Sequence, residues 1–289
     1  MIAIGNFDGV HTGHQALIAR ARDLAVAHDA RTVALTFDPH PSSLFAGKPP
    51  PAVCSLARRI ELLGDAGADA VVIEPFTREL AARTPNVFVD AILLRALQAR
   101  AVVVGYDFCY GAGRAGTVDT MRVQCGLAGV EVAVISAVEA EGEIASSTRI
   151  RQHLQAGELA EASRLLGRRW DIDGVVVHGA KRGRTIGIPT ANIRPDSELL
   201  VRPGIYAVTL SVEGGPPLPA VASLGTNPTF VESGGLVLEV HVLDGGGDYY
   251  DKRVRTTFAG YLRDEAKYDS IEALLAQIRL DIDAARRVL

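Results

Sequence analysis

Ile4-Gly5-Asn6-Phe7-Asp8-Gly9-Val10-His11-Thr12-Gly13-His14 joins a short apolar run, residues 1–4, to a long helical pattern, residues 13–28. In that pattern Leu17, Ala21, Leu24 and Ala25 recur at i, i+4, i+7 and i+8, one stripe of a helix. A helix start presents unpaired N–H groups and a partial positive charge, so it favours anions. Imidazoles placed there can donate hydrogen bonds to phosphate oxygens as charge builds on them. Gly9 and Gly13 let a phosphate chain approach the backbone closely. The stretch therefore reads as a phosphate site rather than as a surface turn that happens to hold two histidines.

Working outward, further apolar runs occur at 32–37, 70–73, 101–104 and 131–135. Helical patterns separate them: 55–64 carries Leu56, Ile60 and Leu63, and 86–97 carries Phe88, Ile92, Leu93 and Leu97 with Asn86 as its expected N-cap. Strand alternating with helix predicts a doubly wound α/β domain with a parallel sheet, whose ligands bind at the carboxyl ends of the strands. That rule brings Phe37-Asp38-Pro39-His40-Pro41 and Gly105-Tyr106-Asp107-Phe108 to the same edge as the histidine string. Gly111-Ala112-Gly113-Arg114-Ala115-Gly116 matches the dinucleotide pattern G-x-G-x-x-G, but residues 105–110 separate it from its strand, so it reads as a glycine loop. Met1 sits almost on the first strand, which leaves that strand short and prone to fray, or an N-terminal extension missing.

Ala145-Ser146-Ser147-Thr148-Arg149-Ile150-Arg151 precedes another helical stretch. Hydroxyls and N–H groups at a helix start with two arginines form an anion clamp, a partner for the histidines on a triphosphate. A short helical pattern at 157–167, ended by Gly167, leads to a region of different character. Short β-type runs at 174–178, 204–212, 220–224, 236–242 and 254–258, divided by Gly/Pro clusters, predict an antiparallel barrel or sandwich. A final helix is capped by Ser270, with Ile271, Leu274, Leu275, Ile278 and Ile282 as its apolar stripe.

In the second half, Gly179, Lys181, Gly183 and Gly187 belong to a Gly- and Arg-rich flap that runs into Pro189-Thr190-Ala191-Asn192. Such a flap can surround a nucleotide, and Thr190 and Asn192 offer hard oxygens suited to Mg²⁺; a basic hairpin followed by an Asx-type turn would look the same. Alternation in Leu236-Val237-Leu238-Glu239-Val240-His241-Val242 puts Glu239 and His241 on one strand face. If that face lines a cavity, Glu239 can take a proton from a substrate hydroxyl.

A length of 289 residues fits about two domains, placed at 1–168 and 169–289. Net charge is −4, which indicates no general attraction to nucleic acid. Cys54, Cys109 and Cys125 form no zinc spacing and fit a reducing cytoplasm. No signal peptide or spanning run is apparent, so no membrane partner is expected. The absence of a large uncovered apolar stripe predicts a monomer or weak homo-oligomer.

The strings GNFDGVHTGHQALI, LTFDPHP, VVGYDFCYG and SSTRIR, in this order, resemble the FMN adenylyltransferase module of bacterial bifunctional riboflavin kinase/FAD synthetases, a Rossmann-like nucleotidyltransferase fold. GRTIGIPTANI, PGIYAV, SLGTNPTF, LEVHVLD and AGYLRDEAKYDS resemble the riboflavin kinase module of the same family, a small β-barrel with a terminal helix. The resemblance implies two steps, riboflavin to FMN and FMN to FAD, each using ATP. It assigns ATP and phosphate binding in the first half to Gly5, Phe7, Asp8, His11, His14, Asp107, Ser147, Thr148 and Arg149, and flavin binding there to Asn6 and His40. In the second half it implies Glu239 as base, Thr190 and Asn192 for Mg²⁺, and Gly179, Lys181, Gly183, Gly187, Pro189 and Arg263 around ATP and flavin. Cys109, Asn227 and Asp251 depart from the family pattern, which has arginine at the first two and glycine at the third. The competing expectation is an adenylyltransferase whose barrel only binds or senses flavin.

Overall fold

The computed structural model describes residues 1–45, 49–179, 187–226, 236–243, 245 and 247–289. The chain divides into two units, Met1–Pro51 with Leu56–Ser147, and Ala52–Ser55 with Thr148–Leu289.

In the first unit the alternating pattern becomes β1 (Ile2–Ile4), α1 (Thr12–Ala27), β2 (Val33–Asp38), α2 (Leu56–Asp65) and β3 (Ala70–Pro75). Short helices α3 (Arg78–Ala81) and α4 (Pro85–Val87) follow, then a π-helical segment Phe88–Ala96, β4 (Ala101–Gly105), α5 (Val118–Leu127), β5 (Glu131–Ile135) and a small hairpin of β6 (Glu139–Ala140) and β7 (Glu143–Ile144). The five long strands form one parallel sheet in the order β3-β2-β1-β4-β5. Strand order reverses between β1 and β4, so the loop leaving β1 lies at the switch point where such sheets bind ligands. Short as it is, β1 is the central strand: Ile4 pairs with Leu35 and Ala3 with Val103. Bonds from Val33 N to Met1 O (2.8 Å) and from Gly5 N to Leu35 O (3.1 Å) prolong the ladder at both ends. Fraying of this strand is therefore opposed from both sides.

Two local expectations change. The helix near residue 86 is capped by Thr84, whose hydroxyl accepts from Val87 N, because Pro85 takes the first helical position where its missing N–H costs nothing. Asn86 instead accepts a hydrogen bond from Gln124 Nε2. On α2 the buried face is Arg58, Arg59, Leu62 and Leu63, whereas Ile60 is exposed.

The second unit holds α6 (Ser147–Ala156), which begins at the division, then α7 (Leu159–Leu166), β8 (Asp171–Val177), β9 (Ala191–Pro195), β10 (Gly204–Val212), β11 (Leu218–Thr226), β12 (Leu236–Val242), β13 (Arg253–Arg263) and α8 (Ile271–Val288). The strands close into a barrel in the order β10-β11-β12-β9-β8-β13, every pair antiparallel. Strand β9 was not expected from periodicity; its residues follow Pro189-Thr190, which read as a loop. Trp170, Tyr206 and Phe258 fill the barrel core, with ring centroids 5.1 Å (Trp170–Phe258) and 5.2 Å (Tyr206–Phe258) apart. Trp170 Nε1 donates to Val53 O at 2.8 Å, so the stretch Ala52–Ser55 is built into this unit although it precedes α2 in sequence.

Ser270 caps α8, accepting from Ala273 N at 3.1 Å. The apolar stripe of this helix is only half-buried and Ile271 is exposed. The buried residues of α8 are Asp281 and Ala285, and the Asp281 carboxylate takes a two-pronged bond from Arg263 (2.8 and 2.7 Å). No helix among the described residues is long and apolar enough to cross a membrane.

Candidate active sites

The histidine string folds as a tight turn over the carboxyl end of β1. Phe7 (φ 51°), Gly9 (φ 81°) and Val10 (φ 43°) all take the left-handed region. For a β-branched residue such as Val10 this is strained, and strain of this kind is held only where the surroundings over-determine it. His11 then caps α1, its Nδ1 accepting from His14 N at 3.4 Å. The His11 and His14 rings stack with centroids 3.6 Å apart, and the Phe7 ring meets His14 edge-on at 5.2 Å. A Cβ on Gly13 would lie 3.1 Å from His11 Cε1, so the ring would have to give by a few tenths of an ångström to admit it. His14 Nδ1 is buried without a hydrogen-bond partner among the described residues. Burial first, then the charges of His11 and Arg59, hold the His14 imidazole well below the ordinary histidine range. His14 is therefore neutral at neutral pH.

The other residues expected at this edge lie in the first unit, save Thr148 and Arg149, which belong to the second. Asp8 is buried, and Ser147 Oγ donates to its carbonyl at 2.8 Å, which ties the start of α6 to the histidine turn. Asn6 O accepts from Thr36 Oγ1 on β2 at 3.0 Å. The Gly5 backbone packs against the Phe7 ring, with room for no side chain without displacing it. His40 caps the turn after β2, its Nδ1 2.7 Å from Ser42 Oγ. Asp107, after β4, is exposed; Cys109 Sγ rests 3.6 Å from its carbonyl, and Arg114 is solvent-facing. Thr148 and Arg149 are exposed in the first turn of α6. The glycine loop at 111–116 is a closed structural turn, pinned by a Tyr110–Gly116 bridge and by Tyr110 packed on Gly116.

In the barrel, register places Glu239 on β12 directly opposite Asn192 on β9 and Ser223 on β11. The expected alternation holds: Leu238, Val240 and Val242 are buried, while Glu239 and His241 are half-buried on the other face. His241 Nδ1 lies 2.8 Å from Pro189 O and anchors the segment that carries Thr190. Asn192 sits in a strand rather than an Asx turn, and its Oδ1 is buried with no hydrogen-bond partner among the described residues. An orphaned hard oxygen two residues along the chain from Thr190 fits a Mg²⁺ ligand set. A cleft lined by Val176, Pro189, Thr190, Ala191, Val240 and Tyr250 takes in Thr190 but neither Asn192 nor Glu239. Arg263 is held by Asp281 and by the Asp264 carbonyl (2.8 Å), so its guanidinium shapes the loop after β13. Lys181, Gly183 and Asn227 lie outside the described residues. Asp251 has φ 62°, a conformation that glycine adopts at no steric cost.

Gly179 lies so close to Asn192 that a Cβ would overlap the side-chain amide, 2.8 Å from Oδ1 and nearer to its other atoms. Gly179→Ala is therefore expected to push the Asn192 side chain out of place.

Sequence reading missed Arg59 and Thr36, which back the histidine turn. The signal was present: Arg59 stands three and four residues before Leu62 and Leu63, on the buried face of its helix.

Two family models cover the chain, FAD synthetase over residues 1–149 and riboflavin kinase over 166–289. A bifunctional riboflavin kinase/FMN adenylyltransferase of Pseudomonas fluorescens is 39% identical, over 98% of this chain and 91% of its own length. Proteins of the same description from Escherichia coli K12 (36% identical, 99% and 91% covered) and Bacillus subtilis (34%, 99% and 92%) match end to end as well. A crystal structure from Streptococcus pneumoniae, described as a macrolide-efflux protein, superposes with a TM-score of 0.88 at 31% identity, covering 99% of this chain and 93% of that one. With both modules present in order, the chain belongs to the bifunctional riboflavin kinase/FMN adenylyltransferases, which phosphorylate riboflavin to FMN with ATP and adenylylate FMN to FAD.

Proposed function

We propose that the two reactions are run by two separate residue sets, divided near residue 168, with 1–168 forming FAD and 169–289 forming FMN. The observation that carries this reading is a buried, unpartnered polar atom in each set, His14 Nδ1 at the start of α1 and Asn192 Oδ1 on β9.

In the barrel, Glu239 accepts the proton of the ribityl 5′-hydroxyl as that oxygen attacks the γ-phosphate of ATP. Thr190 and Asn192 would hold Mg²⁺, which when bound neutralises charge on the phosphates. Gly179, Lys181, Gly183, Gly187 and Pro189 enclose the nucleotide, and the loop held by Arg263 flanks the flavin. In the α/β unit the FMN phosphate attacks the α-phosphate of a second ATP and pyrophosphate leaves. His11 and His14 donate hydrogen bonds to the phosphates as charge develops. The residues Gly5, Phe7, Asp8, Ser147, Thr148 and Arg149 hold the triphosphate, Asp107 lies near the adenosine, and Asn6 and His40 contact the flavin. Positioning and charge neutralisation suffice for both steps, with no covalent intermediate. We place the enzyme in the cytoplasm as a monomer or weak homo-oligomer acting on small molecules, without nucleic-acid or membrane partners.

Incubation with riboflavin, ATP and Mg²⁺, followed by chromatography, is expected to give FMN and then FAD. Chelation with EDTA should stop riboflavin phosphorylation, and added Mg²⁺ should restore it. Turnover that persists after chelation would remove Thr190 and Asn192 from a metal role.

A further inference from the structure

Arg59 stands on the buried face of α2 with 4% of its surface exposed. A guanidinium keeps its proton in proteins, so this is a buried positive charge. Buried charges are costly and are ordinarily matched by an opposite charge. Arg59 has no such match among the described residues. Its Nη1 donates to two neutral oxygens, Thr36 Oγ1 at 3.4 Å and Phe37 O at 3.3 Å, both long bonds, and its Nε is buried without any partner.

The position of this charge is informative. Thr36 and Phe37 lie at the carboxyl end of β2, the strand beside β1, and Thr36 donates in turn to Asn6 O in the histidine turn. Arg59 is near enough to lower the proton affinity of His14, whose own Nδ1 is a second buried nitrogen without a partner. Two unsatisfied nitrogens, one carrying full charge, thus gather at one strand end under the N-terminus of α1. A mere strut between α2 and β2 would not need the charge, because a methionine of similar volume would fill the space without burying one. A ligand bearing several negative charges on tetrahedral oxygens satisfies both nitrogens at once.

We propose that Arg59 is a further phosphate-binding residue of the adenylyl-transfer site and grips the triphosphate of ATP from below the histidine turn. This rests on the assignment of ATP to His11 and His14. It adds a specific contact whose chemistry is that of a buried guanidinium fork on phosphate oxygens.

The test uses the full-length protein, assayed from FMN so that only adenylylation is read. Arg59→Met is expected to raise the KM for ATP by about tenfold to a hundredfold, the range for losing a hydrogen bond to a charged group. Arg59→Lys, which keeps charge but loses the fork, should recover part of that loss. Inorganic pyrophosphate should raise the melting temperature of the wild type and do so less in Arg59→Met, whose melting temperature without ligand stays level or rises. An unchanged KM for ATP, or a lowered ligand-free melting temperature with an undiminished pyrophosphate shift, would overturn the proposal in favour of a strut. Should Arg59→Met not fold, Arg59→Lys decides: a raised KM for ATP supports the contact and an unchanged one removes it. A paired His11→Ala/His14→Ala protein separates the two levels. If it loses FAD formation while Arg59→Met keeps its KM, only the Arg59 contact fails; if FAD formation survives in both, the ATP site itself is misplaced.

Discussion

Glu239→Gln is expected to abolish FMN formation, with a loss of roughly 10²–10⁴ in kcat, while FMN supplied to the same protein is still converted to FAD. The substitution preserves shape and hydrogen-bonding capacity, so β12 keeps its register between β11 and β9. What it removes is the ability to take up a proton. Chromatography of two parallel reactions, one started from riboflavin and one from FMN, reads both activities from a single preparation. Equal loss of both, or loss of neither, would break the assignment of one reaction to each unit.

The reverse pattern is expected of His11→Ala/His14→Ala: FAD formation falls by at least about 10³, and FMN formation continues. In the proposed mechanism each imidazole is a donor aimed at charge that grows in the transition state, and such donors are individually worth roughly 10²–10³ in rate. One complication is structural. His11 also caps α1, and losing a cap costs about 1 kcal/mol. His11→Asn keeps a capping side chain, so a matching loss of FAD formation in that variant would trace the effect to phosphate chemistry instead of helix stability. Accumulation of FMN without FAD is the decisive observation. Continued FAD synthesis would move the reaction away from this turn.

Much of the architecture was legible because β1–β5 and the barrel strands carry their own periodicity and turn residues. The observed strands fall within about five residues of the expected runs, apart from β9 and the small β6–β7 hairpin. That strand was hidden because Pro189 and Asn192 are turn-forming residue types, and the pairing of Asn192 with Glu239 appears only once the barrel closes. The Arg263–Asp281 pair joins residues 18 apart across two elements, so nothing local announces it. The stripe on α8 was overestimated for the same reason, since part of its buried contact is ionic. His11, His14, Glu239, Thr190 and Asn192 stand out in the sequence as motif residues. Arg59 carried its core spacing as a signal, but that spacing points to a function only once its surroundings are seen to lack a counter-charge among the described residues.

The short stretch Ala52–Ser55 gives the chain an unexpected kind of unity. Val53 and Cys54 are buried, and the Val53 carbonyl is the acceptor for the Trp170 indole in the barrel core. A barrel fragment severed at residue 168 would lose that acceptor, leaving a buried N–H unsatisfied at a cost of about 1–3 kcal/mol. The matching N-terminal fragment would carry the apolar Val53 and Cys54 with nothing to cover them. Point substitutions can silence either reaction alone, but a single cut of the polypeptide cannot release both halves intact.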